Sequence, residues 1–272
     1  MAKKIKKKDG PIVETVKTVV YALLIAGLIR TLLFQPFWIP SGSMKSTLLI
    51  GDFLFVNKFA YGYSYASCPT MFGVDFCGFA KGSDERLLGS EPERGDVVVF
   101  KHPVHGADFI KRLIGLPGDR IQVIDSVLHI NGVAVELVPD GVFTELRELQ
   151  GPQSGRPQCI NGASMGEICE KERFIETLPN GVSHTILNFS DTRTADHTRE
   201  FIVPDGHYFF MGDNRDNSVD SRFSQNGAQV GVGFVPLENI IGRADRIIFS
   251  SAGSSILAFW TWRSDRYFKA VN

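Results

Sequence analysis

Val16 to Phe34 is the one long apolar run in this 272-residue sequence, and it directly follows a tip crowded with Lys3, Lys4, Lys6, Lys7 and Lys8. As a helix its length is roughly 28 Å, close to the ~30 Å hydrocarbon core of a bilayer. Lys17 and Arg30 stand near its ends, where long basic side chains reach the headgroups, and Thr18–Ile29 is uncharged. A cleaved export leader has the same basic tip and apolar core. No small-x-small pair follows this one, however. Gln35-Pro36-Phe37-Trp38-Ile39-Pro40 is bulky, and Trp38 suits an interfacial anchor. The expectation is therefore a single uncleaved transmembrane helix over residues 16–36. The basic tip, residues 1–15, predicts a cytoplasmic amino terminus, with everything from about Phe37 onward beyond the membrane.

A formal net charge of -1 argues against a nucleic-acid binder. The four cysteines, Cys68, Cys77, Cys159 and Cys169, form two short-range pairs without the two-residue gap of a redox or zinc motif. In a chain exported from the cytoplasm they predict local disulfides, Cys68–Cys77 and Cys159–Cys169; otherwise they are four buried thiols.

Beyond residue 40 no long helical period occurs, so the body is expected to be mainly β. Strands are predicted at Asp52–Lys58, Val97–Phe100, Phe109–Ile114, His184–Phe189, His207–Met211 and Ile240–Phe249. Ile121–Ile130 and Val133–Leu137 flank Asn131-Gly132, a hairpin signal. The expected organisation is a β-rich domain over 37–139 and 197–255, interrupted by a peripheral inserted subdomain over 140–196. An aromatic and basic tail, 256–272, then caps the core or touches the bilayer surface.

The stretch Ile39–Leu48 sits directly after the apolar run and places Ser41, Ser43, Ser46 and Thr47 beside Pro40 and Gly42. A serine hydroxyl becomes a nucleophile when a base takes its proton. No Gly-x-Ser-x-Gly motif occurs, and the six histidines lie in turns or at strand positions outside any recognisable triad setting. His102-x-x-His105 with Asp108 is a loose zinc spacing, and no metal site is expected. Lysine is the other candidate base. At its ordinary pKa only about one in 2,500 is neutral at pH 7, so a basic lysine has to be desolvated. Lys111 stands between Phe109 and Leu113 on one face of a predicted strand and meets that condition. Lys45 is closer to Ser43 in sequence but lies in a turn-rich segment, and is expected in solvent. Gly212–Arg222 is dense in Asp and Asn but lacks the calcium-loop pattern. It is expected to orient the lysine, with Asp220 paired to Arg222.

Together these segments resemble the bacterial type I signal peptidases, membrane-anchored Ser/Lys endopeptidases. Ile39-Pro40-Ser41-Gly42-Ser43-Met44 resembles the nucleophile box and Arg94–Phe100 the strand box that follows it. Lys111-Arg112 with Gly115-Leu116-Pro117-Gly118-Asp119 resembles the lysine box, and Gly212–Arg222 the last box. Gly233-Phe234-Val235-Pro236 and Gly242-Arg243-Ala244 are similar to the closing segment. Ser46 stands where the family commonly has Pro, and one span is read where many Gram-negative members have two.

The resemblance implies Ser43 as nucleophile and Lys111 as general base. It implies an oxyanion hole from the Ser43 N–H and the Ser41 hydroxyl, and Ser218 bonded to Lys111. Asp220, Arg222 and Arg112 would support the site. Phe37, Ile39, Met44, Leu48, Leu54, Val98 and Ile110 would line shallow pockets for small side chains at the −1 and −3 positions. No cofactor is implied. The implied partners are preprotein signal peptides, membrane lipid and nearby export machinery, in the bacterial inner membrane with the catalytic domain on the periplasmic side. A penicillin-binding type of acyltransferase fits poorly, because Ser-x-x-Lys would need a serine at Gly42. A self-cleaving repressor would need a DNA-binding module. An anchored binding protein, with Ser43 and Lys111 merely structural, is the non-enzyme alternative.

Overall fold

The computed structural model describes residues 10–32, 34–67, 70–71, 74–75, 86, 89–226, 230–253 and 257–271. The lysines of the basic tip and the Cys68–Cys77 pair lie outside the described residues. One α-helix, α1 (Pro11–Leu32), precedes a body of strands. Ile12, Val16, Val20, Leu23 and Leu24 on α1 are all exposed. Among the described residues, no helix is long and apolar enough to cross a membrane. The expected transmembrane segment is thus present as a 22-residue helix, and a membrane span is not shown by it.

The strands follow as β1 (Phe34–Trp38), β2 (Asp52–Asn57), β3 (Thr70–Met71), β4 (Val74–Asp75), β5 (Val97–Lys101) and β6 (Asp108–Gly115). Next come β7 (Arg120–Ile124), β8 (Val127–Ile130), β9 (Val133–Ala134), β10 (Glu136–Leu146), β11 (Ile168–Thr177) and β12 (Ser183–Asn188). The last are β13 (Phe201–Ile202), β14 (His207–Met211), β15 (Val235–Pro236) and β16 (Ile240–Ser250). The principal sheet runs β1-β2-β16-β5-β6-β14-β15. A four-stranded sheet, β13-β7-β8-β9, and a three-stranded sheet, β10-β11-β12, stand beside it.

Central β5 explains the run of valines. Val97 and Val99 pack into one cluster with Ile39, Met44, Leu48 and Leu54, while Val98 and Phe100 pack into another with Leu113 and Phe210. A strand covered on both faces needs no polar alternation. Each such side chain contributes ~1.5–3 kcal/mol by leaving water. The expected strand Ile121–Ile130 is in fact two. Asp125 and Ser126, both at positive φ, make a two-residue turn between β7 and β8, as Asn131 and Gly132 do between β8 and β9. Residues with φ > 0 at both central positions match the twist of the flanking strands.

The tail caps the core. Arg266 is buried, donates twice to Asp52 at 2.9 and 2.6 Å and once to Thr47 O at 3.0 Å. Arg263 donates to Ile50 O. Leu257, Phe259 and Trp260 remain exposed. Cys159 and Cys169 form a disulfide.

Candidate active site

Residues 39–51 are the connection of the β1–β2 hairpin, continued by Ile39 N–H to Asp52 O and Gly51 N–H to Ile39 O. The apolar residues of this loop secure it: Ile39, Met44 and Leu48 are essentially without solvent contact. They hold the intervening Ser41-Gly42-Ser43 against β6.

Lys111 comes from the middle of β6, paired with Val98 of β5. Its Nζ donates to Ser43 Oγ at 2.7 Å and to Ile110 O at 2.9 Å, and lies 5.4 Å from the centre of the Phe109 ring. Burial lowers its pKa to about 8, against the opposing pull of Asp220 and Asp213. About one lysine in ten is then neutral at pH 7, instead of one in thousands. The pair is equipped for nucleophilic attack by a serine.

The loop after β14 packs against this pair. Asp220 pairs with Arg222 at 2.9 Å, both buried. Ser218 is also buried, with its Oγ close to Asp220. That hydroxyl satisfies no hydrogen-bond geometry, and the expected bond to Lys111 is absent. Arg112 points the other way from Lys111 on β6. It donates to both oxygens of Asp213 at 2.9 and 2.8 Å and to Gly95 O at 2.8 Å.

Asp213 and Asn214 escaped the reading of the sequence as individual residues. Asp213 accepts from Arg112 and from Thr47 Oγ1. Asn214 donates from its backbone to Ser43 O at 3.1 Å and from its amide to Gly42 O at 2.8 Å. Their only signal was membership of the Gly212–Arg222 segment. Gly212 itself is required by close approach: a Cβ there would meet Ser218 Oγ at 2.3 Å and Ser43 O at 2.6 Å.

A cavity of about 400 Å³ opens over the pair, lined by Ser41, Gly42, Ser43 and Lys111. Of the seven residues expected to line substrate pockets, Phe37 and Ile110 face this cavity. Ile39, Met44, Leu48 and Leu54 are core residues, and Val98 lies in the separate cluster around Phe100. They back the site from beneath.

Two expectations are corrected. Lys45 is not in solvent: it is 5% exposed, ion-paired with Glu145 and hydrogen-bonded to Gln150 Oε1 at 2.6 Å. Burial lowers its pKa, with Glu145 opposing. Nor is the 140–196 segment peripheral to the site, since Gln150, Arg156 and Lys171 line the same cavity. At the suggested zinc position, His102 Nδ1 accepts the backbone N–H groups of Val104 and His105. Its ring caps a turn.

A buried amine hydrogen-bonded to a serine, at the floor of an open cleft on a mainly β body, is a serine-hydrolase arrangement. The sequence matches the family described as Signal peptidase, peptidase S26, over residues 12–249. A Signal peptidase I from Rickettsia canadensis (strain McKiel) is 40% identical over 243 residues, covering 86% of this chain and 79% of that one. Signal peptidase I from Rickettsia typhi (strain ATCC VR-144 / Wilmington) is 41% identical over 239 residues, covering 85% and 78%. The crystal structure of a signal peptidase I from Enterococcus faecalis V583 covers 57% of this chain and 97% of that chain at 25% identity, with a TM-score of 0.29. The chain belongs to the signal peptidase S26 family. It is a serine endopeptidase, which sets aside the anchored binding protein.

Proposed function

We propose that this protein cleaves signal peptides from exported preproteins by a Ser43/Lys111 dyad. The observation that carries the reading is the 2.7 Å hydrogen bond between Ser43 Oγ and the buried Lys111 Nζ. Neutral Lys111 takes the Ser43 proton as Oγ attacks the scissile carbonyl carbon. The Ser43 N–H and Ser41 hydroxyl donate to the oxygen that becomes negative, and donors fixed before reaction are the effective kind. The resulting Lys111 ammonium gives its proton to the leaving amine, and the acyl group stays on Ser43 as an ester. Lys111, neutral again, takes a proton from the water that attacks the ester, and returns it to Ser43 Oγ as the acyl–oxygen bond breaks and the carboxylate product leaves.

Asp220, Arg222 and Arg112 hold the surrounding loops. Ser218, buried beside the Ser43 carbonyl, receives an N–H of Lys111 during turnover. Phe37 and Ile110 leave room for small side chains at −1 and −3 of the substrate. Preprotein cleavage by wild type, Ser43→Ala and Lys111→Ala tests this. Losses of roughly 10⁴-fold or more are expected in both variants, and retained activity in either removes the dyad.

The same reading makes α1, with the lysines ahead of it, the anchor to the inner membrane. It rests on the uncharged stretch Thr18–Ile29 and on apolar side chains exposed around the helix. Lipid, the signal peptide and the export machinery are then the partners, with the catalytic body on the periplasmic side. Alkaline extraction of membranes and protease accessibility from the periplasmic face test it; release by alkali, or protection of the body, overturns it.

A further inference from the structure

Lys45 is a second buried lysine at the site, and the dyad makes no use of it. Its side chain folds back over Gly42: a Cβ on that glycine would stand 3.1 Å from Lys45 Cε and 3.6 Å from Nζ. Gly42 lies between the two groups assigned above to the oxyanion, the Ser41 hydroxyl and the Ser43 N–H. The ammonium group is held there from across the cavity. Its Nζ donates one hydrogen bond to Glu145 of β10 and another to Gln150 Oε1 at 2.6 Å. Gln150 Nε2 donates in turn to Glu145 Oε2 at 3.0 Å. The loop that carries Gln150 is pressed on the nucleophile turn, since a Cβ on Gly151 would meet Pro40 O at 2.4 Å.

Glu145 is not Lys45's alone. Its other oxygen accepts from Lys171 Nζ of β11 at 2.9 Å, and Lys171 is 1% exposed. One carboxylate shared by two ammonium groups leaves a net positive charge in the wall of the cavity. A surface lysine at this distance would be screened by water, but a buried one acts through a lower dielectric. The residues bearing the charge are rigidly placed, as electrostatic stabilisation of a transition state requires.

We propose that Lys45, held over Gly42 by Glu145 and Gln150, is a positioning residue of the oxyanion side, its charge favouring the negative oxygen that forms beside Ser41 and Ser43. This inference rests on the dyad reading. Asp220 and Asp213 are the charges that oppose the burial of Lys111, whereas Lys45 is folded over Gly42, on the side of the oxyanion. It also gives the inserted sheet a part in the chemistry, because two of the three charged members come from β10 and β11.

The test is Lys45→Met, which keeps most of the length of the side chain, removes its charge and leaves Glu145 its partner Lys171. We expect kcat to fall about 10- to 100-fold, with KM within threefold and the pH at half-maximal kcat/KM unmoved. Affinity for a peptide boronic acid, whose adduct with Ser43 is a tetrahedral anion, should fall by the same factor as kcat. Affinity of the Ser43→Ala protein for uncleaved peptide should be unaffected by adding Lys45→Met. Glu145→Gln breaks the ion pairs but keeps both ammonium groups, and should lose less than Lys45→Met. Should Lys45→Met fail to fold by thermal melting, Lys45→Gln takes its place. A kcat within twofold of wild type overturns the proposal. So does a loss confined to KM, or an equal loss in Lys45→Met and Glu145→Gln, which is the mark of a simple clamp. Activity surviving in Ser43→Ala or Lys111→Ala would instead sink the dyad itself.

Discussion

Lys111 Nζ lies 2.7 Å from Ser43 Oγ although 68 positions separate the two residues in the chain. The hydrogen bond joins the middle of strand β6 to the loop of the β1–β2 hairpin, and the lysine donates a second hydrogen bond to its own neighbour's carbonyl, Ile110 O. Ordinarily an amine so enclosed would be a liability. Here the enclosure is what brings its pKa down to about 8 and makes it usable as a base.

The pH dependence of cleavage follows. Lys111 has to be neutral in the free enzyme, so kcat/KM should rise tenfold per pH unit below about pH 8 and level off above it. The profile of a peptide substrate, recorded from pH 6 to 10, checks this; an acid limb at pH 6 or below would assign the ionisation to another group.

Stability carries the opposite side of the same shift. The folded pKa of Lys111 is lowered, so its ammonium form destabilises the native state fully below about pH 8. That cost, on the order of 3 kcal/mol, fades as pH rises from there toward the unfolded value near 10.4. Lys111→Met should therefore be inactive yet at least as stable as wild type at pH 7 in urea unfolding. At pH 10 its advantage should shrink.

Gly212→Ala should abolish most activity without touching a polar group. The new methyl would collide with Ser218 Oγ and with Ser43 O, and neither the packed loop nor the nucleophile turn yields cheaply. A loss of 10²-fold or more in kcat, with a melting temperature lowered by several degrees, is expected. Normal kinetics in a well-folded variant would show that the loop gives way.

Arg112→Met should cost ~3–5 kcal/mol of folding stability, because Asp213 would be left charged, buried and without its partner. Chemical denaturation at pH 7 measures it. The methionine itself fills the space, so a much smaller loss would mean that Asp213 finds another donor.

Ser218→Ala separates activity from stability. The Ser218 hydroxyl is buried without a hydrogen bond, so its removal should leave folding stability unchanged or improve it by ~1 kcal/mol. If it bonds to Lys111 during turnover, as proposed, kcat should still fall by roughly tenfold or more.

Much of this protein was legible because its chemistry is written in short segments. The valines of β5, the alternation around Lys111 and the Asn131-Gly132 turn obey local rules of strand and turn, and each was found where those rules placed it. The Asp125-Ser126 turn was missed because the apolar residues on either side, Ile121 to Ile130, read as one continuous strand. Asp and Ser at positive φ leave only a weak mark beside such a pattern. Lys45 was misjudged for a similar reason. Its neighbours in the chain are turn residues, while the groups that bury it, Glu145 and Gln150, are a hundred positions away.

By itself, the sequence determined the mainly β body, the family, and the segments that meet at the site, because residue type and short-range spacing carry those. The tertiary structure alone decided which side chains are enclosed together. It moved Ile39, Met44 and Leu48 from the expected pocket wall into the core, and set Asn214 on the backbone of the nucleophile turn. It also brought the inserted sheet's carboxylate to Lys45. Burial and charge pairing depend on neighbours distant in the chain, and those neighbours exist only once the sheets have packed.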